Sequence, residues 1–354
     1  MTNGNNENGR FRLLALIGAP VFALVVCLFA DLSPGHPEVT RCAAVALWMA
    51  LWWTSSAVPL AVTALLPIVL FPVLGIMSAK AVPGYYMNDI IFLFLGGFLV
   101  ALAMEHWDLH RRIALRLLLF FGGKPSRVLL GFMVPTFFLS MWISNTATTM
   151  MMLPIALSVV LRLEESSQGM APKRFSLGLL LAIAYSASIG GTATLIGTPP
   201  NASMIAIVES TFPEAPTISF ATWFLFAFPL ALVLFVCLWG YIRWRFLSDQ
   251  DALVLDMGGI RKQYQALGRI SFEQAIIFGV FVGMALLWLT RKGIQIDTLS
   301  LPGWASLFPN PGFMRDGTVA IAMALILFLI PSQTRPETRV LNWEIARGVP
   351  WDII

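Results

Sequence analysis

Two short polar interruptions inside otherwise apolar sequence hold the residue types that could handle small ions. Ser144-Asn145-Thr146 lies in the middle of a tract running from Val128 to Leu161. Gly190-Gly191-Thr192-Ala193-Thr194 continues into Gly197-Thr198-Pro199-Pro200-Asn201 in the next apolar segment. Hydroxyl, amide and freed backbone oxygens suit a hard cation such as sodium, by analogy with calcium and magnesium. A helix restarting after Thr146 would also turn its N–H groups and positive dipole end toward the tip, which suits a carboxylate. The plainer accounts are a helix N-cap or a packing motif for Ser144-Asn145-Thr146, and a helix-ending turn for Gly197-Thr198-Pro199-Pro200. His106, Asp108 and His110 share a spacing of two, but beside Arg111 and Arg112 they read as a charged interfacial turn rather than a metal site. Trp48, Trp52 and Trp53 read as packing or interface anchors, and Asp89 as a helix cap.

What must position these breaks is a set of membrane helices. Mean hydropathy is +0.78, and 58% of residues are hydrophobic against 12% charged, where soluble domains carry about 25% charge. Such a chain is a polytopic membrane protein. A net charge of +4, spread over short clusters beside apolar runs, argues against a nucleic-acid partner. Cys27, Cys42 and Cys237 are far apart, without CxxC spacing, and read as packing residues.

A spanning helix needs about 20 mainly apolar residues. That rule places spans at Leu13–Ala30, Cys42–Val58, Leu60–Ile76 and Asn88–Met104, then a basic amphipathic surface stretch over Glu105–Arg127. Val128–Ile143 and Met150–Leu161 are each short for a crossing, so they are expected to enter the membrane and return as a re-entrant hairpin. Phe175–Ile189 is interrupted and resumes at Ala202–Val208; Phe220–Tyr241, Ala275–Leu289 and Thr318–Ile330 follow, with a surface connector over Ser248–Arg269. The polar stretch Met1–Gly9 reads as disordered. Lys and Arg fall on one side if the N-terminus is cytoplasmic and the hairpin re-enters. Trp351-Asp352-Ile353-Ile354 echoes Asn88-Asp89-Ile90-Ile91 with opposite sidedness, as an inverted repeat would.

Ser140-Met141-Trp142-Ile143-Ser144-Asn145-Thr146-Ala147-Thr148, Ala184-Tyr185-Ser186-Ala187-Ser188-Ile189-Gly190-Gly191 and Gly197-Thr198-Pro199-Pro200-Asn201 together resemble the divalent-anion/sodium symporter family, the sodium-coupled dicarboxylate and citrate carriers. The resemblance implies an all-α, elevator-type inverted-repeat transporter in the bacterial inner membrane, working as a homodimer. Its parts map to a cytoplasmic tail over 1–12 and to scaffold helices with the interfacial helix over 13–124. The transport part covers 125–247, with the hairpin at 125–163, the broken helix at 175–208 and a further helix at 220–246. A connector and the start of a second scaffold repeat occupy 248–354. A first sodium site is implied at Ser140, Ser144, Asn145 and Gly197, and substrate contacts at Asn145, Thr146, Thr198 and Pro199. No catalytic residue and no cofactor beyond the coupling sodium are implied. The family also has a second hairpin and a second broken helix, so the second repeat is expected to be truncated here. The expected activity is sodium symport of a dicarboxylate of the succinate, malate or fumarate type. The alternatives are a sodium-independent exchanger, a sulfate carrier of the same fold, or a non-transporting remnant.

Overall fold

The computed structural model describes residues 3–121, 124–166, 173–247, 257–296 and 299–351. The chain divides into two compact units, Met1–Ile91 with Pro350–Ile354, and Phe92–Val349.

In the first unit α1 (Asn3–Phe29) packs on α2 (Pro37–Ser55), and the short helices α3 (Leu60–Ala64), α4 (Leu66–Val73) and α5 (Val82–Tyr86) follow. The tail expected to be disordered over 1–12 is instead helical from Asn3 onward. Once the apolar run over 11–29 nucleates a helix, adding turns at its end costs little. Pro37 starts α2 where its missing N–H costs nothing, and Ser56 ends it in the left-handed region at φ 49°. The third expected span is split at Leu65 into α3 and α4, with Pro67 in the first turn of α4. The Tyr86 hydroxyl donates to the Ala64 carbonyl at 2.6 Å, and Arg41 donates to the Leu74 carbonyl at 2.7 Å. Both bonds satisfy carbonyls that the broken helix leaves open.

The second unit begins within α6 (Asp89–His106), at Phe92, and continues through α7 (Leu109–Phe121), α8 (Pro125–Ser140), α9 (Asn145–Ser166), α10 (Lys173–Thr192), α11 (Pro199–Thr211) and α12 (Phe220–Leu247). Then come α13 (Gly258–Ala266), α14 (Phe272–Thr290), α15 (Asp316–Leu329) and the single turn α16 (Trp343–Ala346). The all-α expectation needs one correction: β1 (Ile294–Ile296) and β2 (Leu299–Leu301) form an antiparallel hairpin between α14 and α15. Among the described residues, five helices are long and apolar enough to cross a membrane: Phe11–Phe29, Asp89–His106, Arg174–Thr192, Phe220–Leu247 and Phe272–Thr290. Large apolar side chains of α12, such as Phe226 at 72% exposure, face outward, as expected of a surface that meets lipid or another protein rather than water.

Helix α10 is the hub, packed against α8, α9 and α12. Close approach is written into its glycines: a side chain at Gly190 would fall on the Phe137 carbonyl of α8, and one at Gly178 on Phe246 of α12. Basic, amphipathic α7 packs on α8 and α13. Its buried Arg112 donates to the carbonyls of Leu267, Gly268 and Arg269 and to Gln274 Oε1. That arginine therefore satisfies the C-terminal end of α13 and joins it to the capping box, Ser271 with Gln274, that starts α14. Next to it Glu273, fully buried, accepts four hydrogen bonds from Ser332, Gln333 and Thr334.

Candidate functional site: two helix breaks facing each other

The first break is the turn Met141–Ser144 between α8 and α9. Helix α9 begins at Asn145, slightly earlier than expected, because Ser144 is its N-cap: its hydroxyl accepts from the Ala147 amide at 3.2 Å and its carbonyl from the Thr148 amide at 3.0 Å. The plain capping account of Ser144 is thus correct for its side chain as it stands.

The second break is shorter and later than expected. Gly190 and Gly191 lie inside α10, which runs to Thr192, and only residues 193–198 leave the helix before α11 starts at Pro199. The two glycines serve proximity rather than unwinding: a Cβ on Gly191 would land on the Asn145 side-chain amide, and one on Gly197 on the Gly191 carbonyl. Asn145, Gly191 and Gly197 are therefore nested against one another. Ser140, fully buried, donates to Asn145 Oδ1 at 2.6 Å and lies 2.8 Å from the Ala187 carbonyl.

Of the sequence-predicted cation residues, Ser140, Asn145 and Gly197 are brought together, while Ser144 sits at the same turn with its hydroxyl turned into the cap. Among the predicted anion residues, Thr146 is exposed at the first turn of α9, and Thr198 and Pro199 are half-buried at the start of α11. Thr198 has extended backbone and makes no side-chain cap bond. The first two residues of α11 are prolines, which have no N–H. An anion at that end would have to use the Thr198 hydroxyl, whereas α9 offers the first-turn amides of Asn145 and Thr146 that a helix cannot pair internally.

Two residues given no role from sequence hold the breaks in register. The Thr194 hydroxyl, fully buried, donates to the Met141 carbonyl of the first break and accepts from the Gly197 amide at 3.1 Å. The Asn201 side-chain amide donates to the Gly191 and Thr194 carbonyls at 2.9 and 2.7 Å. Thr194 is a polar residue in a break that buries its backbone and Asn201 follows it in the first turn of α11, and that polarity is the signal the sequence offers. Trp142, at the turn, stacks on Phe220 of α12 and meets Phe281 of α14 edge-on; Phe220 stacks in turn on Trp288. Met141, Trp142 and Ile143 are all buried, so the turn is enclosed in protein, the condition under which non-helical backbone survives at membrane depth.

Among the described residues no group of three His, Cys, Asp or Glu side chains is placed to hold a metal ion. What the site offers is neutral oxygen: hydroxyl, amide and carbonyl.

Residues 12–354 match the family described as the sodium:sulfate symporter transmembrane region. A sodium-dependent dicarboxylate transporter of Staphylococcus saprophyticus is 39% identical over 345 residues, covering 96% of this chain and 64% of that protein. Its namesake in Staphylococcus aureus is 38% identical, covering 97% of this chain and 65% of that protein. The human Na(+)/dicarboxylate cotransporter 3 is also 38% identical, over 97% of this chain and 69% of that protein. The chain thus spans somewhat less than two thirds of the length of the bacterial relatives. A match over nearly every helix described above, breaks included, makes this chain a multi-pass membrane protein of the sodium:sulfate symporter family.

Proposed function

We propose that the chain forms part of a secondary transporter that moves a dicarboxylate of the succinate, malate or fumarate type together with sodium. The observation that carries this reading is the convergence of Ser140, Asn145, Gly191 and Gly197 at two facing helix breaks. In this reading sodium is bound by Ser140, Ser144, Asn145 and the backbone near Gly197. The dicarboxylate is held by Asn145 and Thr146 at the positive end of α9 and by the Thr198 hydroxyl at the start of α11, where Pro199 lines the site without donating. Ion and anion largely cancel each other's charge, which lowers the cost of moving either through a low-dielectric core. Relatives named as sodium-dependent dicarboxylate transporters support this substrate pair over sulfate.

We further propose an elevator movement of the hub α8–α12 as a body, a re-entrant course for α8 and α9, a cytoplasmic N-terminus in a bacterial inner membrane, and a homodimer. The tight packing of α10 on α8, α9 and α12 supports treating these helices as one body. The basic clusters on α7 and α13 support a cytoplasmic position for both.

The test is uptake of labelled succinate by proteoliposomes of the whole gene product, under an inward sodium gradient and under an equal potassium gradient. Uptake in sodium alone, competed by malate and lost in Asn145→Ala, is expected. Equal uptake in both gradients would remove the sodium coupling, and competition by sulfate but not by malate would move the assignment to the sulfate carriers.

A further inference from the structure

Helices α7 and α13 lie together at one end of the membrane-length helices α6 and α14. Helix α7 begins just after α6 ends, and α13 ends just before α14 starts. The Gln274 side-chain amide ties those two ends together by donating to the Trp107 carbonyl at 2.7 Å. A surface built there sits at the depth of lipid headgroups, where a helix lying along the membrane presents its basic side chains.

One side of this junction is fixed and the other is open. Leu115 and Leu118 of α7 are fully buried, with Leu118 against Gly131 of α8. Arg112 is spent on the α13 carbonyls and Gln274, and its guanidinium lies 5.9 Å from the centre of the Tyr264 ring of α13. Residues four apart share a helix face, so Arg116 and then Phe120 continue the Arg112 stripe along α7. Arg116 is exposed, and Phe120 is 83% exposed. On α13, Arg261 stands one turn before Tyr264 on the face toward α7, and it is exposed. Lys262 and Arg269 are exposed as well, and Ile270, 58% exposed, follows them.

These cations lack counter-charges. No Asp or Glu occurs between Leu109 and Phe121 or between Gly258 and Ile270, and among the described residues none of Arg116, Arg261, Lys262 and Arg269 forms an ion pair. Glu273, the next carboxylate after α13, is taken by Ser332, Gln333 and Thr334, and the exposed Asp108 before α7 offsets only part of the charge. Cations beside outward-facing apolar side chains suit a headgroup region, where the charge meets phosphate and the apolar group enters the acyl boundary. A nucleic acid or a soluble acidic partner would leave Phe120 and Ile270 without a purpose.

We propose that the junction of α7 and α13 binds the headgroup phosphate of an anionic phospholipid. Arg116 and Arg261 are the principal donors, Lys262 and Arg269 add to the field, and Phe120 and Ile270 meet the acyl chains. Charge-assisted hydrogen bonds from arginine to phosphate are of the strong, frequently bidentate class. A zwitterionic lipid offers the same phosphate with a cancelling ammonium, so the site discriminates by net charge.

The test counts lipids retained on the full chain by native mass spectrometry, with phosphatidylglycerol and phosphatidylcholine of the same acyl chains titrated in turn. Phosphatidylglycerol is expected to bind at least about tenfold more tightly, since each basic side chain near an anionic surface contributes about a fivefold factor. Arg116→Gln combined with Arg261→Gln should weaken phosphatidylglycerol binding about 25-fold. Arg116→Lys combined with Arg261→Lys, which keeps both charges, should bind close to the parent. Lys292→Gln removes a cation at the opposite end of α14 and should leave the preference unchanged. Equal binding of the two lipids, a preference that survives in the double glutamine variant, or one lost as fully in Lys292→Gln would each overturn the proposal.

Discussion

Thr194 holds the two breaks together through one oxygen, donating to the Met141 carbonyl and accepting from the Gly197 amide. Thr194→Val keeps the volume and removes both bonds, leaving a buried carbonyl and a buried amide unpaired at about 1–3 kcal/mol each. The expected result is a loss of sodium-dependent succinate uptake of at least about tenfold, since every 1.4 kcal/mol is a factor of ten. Thr194→Ser, which restores the hydroxyl, should stay near the parent rate. If the valine and serine variants transport alike, the hydroxyl is not what sets the geometry. A companion prediction concerns Gly191. A methyl group there would collide with the Asn145 amide, so Gly191→Ala should raise the sodium concentration for half-maximal uptake more than it lowers thermal stability. A drop in melting temperature with the sodium dependence unchanged would instead make Gly191 a packing residue only.

At the scale of elements, Asp316 acts on a helix far from it in sequence. Its Oδ2 accepts from the amide of Phe220 at 2.8 Å, the first residue of α12, so the carboxylate caps that helix from α15 while its other oxygen takes the Arg291 guanidinium. Asp316→Ala leaves Arg291 buried and unpaired and the end of α12 uncapped. Breaking one side of such a pair costs about 3–5 kcal/mol, which should appear as a clear fall in melting temperature in detergent. Replacing both partners, Arg291→Met with Asp316→Leu, should recover much of that loss; a double variant as unstable as the single one would mean that capping of α12, not the buried charge, dominates. None of this pairing could be read from the chain, because it joins residues 96 apart. The helices themselves were legible, since hydropathy and the 20-residue bilayer rule act on neighbours along the sequence. The same locality explains the misplaced break at Gly190-Gly191. Glycine marks both unwinding and close approach, and only the position of Phe137 and Asn145 against α10 tells the two apart. The breaks were visible as polar interruptions of apolar runs, whereas Thr194 and Asn201 acquire their roles from carbonyls that only folding brings near. The β-hairpin after α14 was hidden in a Gly/Pro-rich loop whose three-residue strands are too short to show alternation.

If the proposed function holds, the governing quantity for the whole molecule is the coupling between cation and anion. The donors at the helix breaks are neutral oxygens and helix ends, so binding either ion alone brings an uncompensated charge into a low-dielectric interior, while binding both does not. The two affinities must then be linked, and linkage is reciprocal: succinate should raise the affinity for sodium by the same factor by which sodium raises the affinity for succinate. A ligand present at 100 times its Kd stabilises the folded state by about 2.7 kcal/mol. Saturating succinate should therefore raise the melting temperature of the whole gene product by a few degrees in sodium, with little shift in potassium or choline. A sodium titration repeated with and without succinate gives one coupling factor, and a succinate titration with and without sodium gives the other. Asn145→Ala, which takes the shared amide from both ligands, should abolish the shifts together. An equal succinate shift in potassium would show that the anion is neutralised by protein charge rather than by sodium, and the neutral oxygens gathered at the two breaks would then need another purpose.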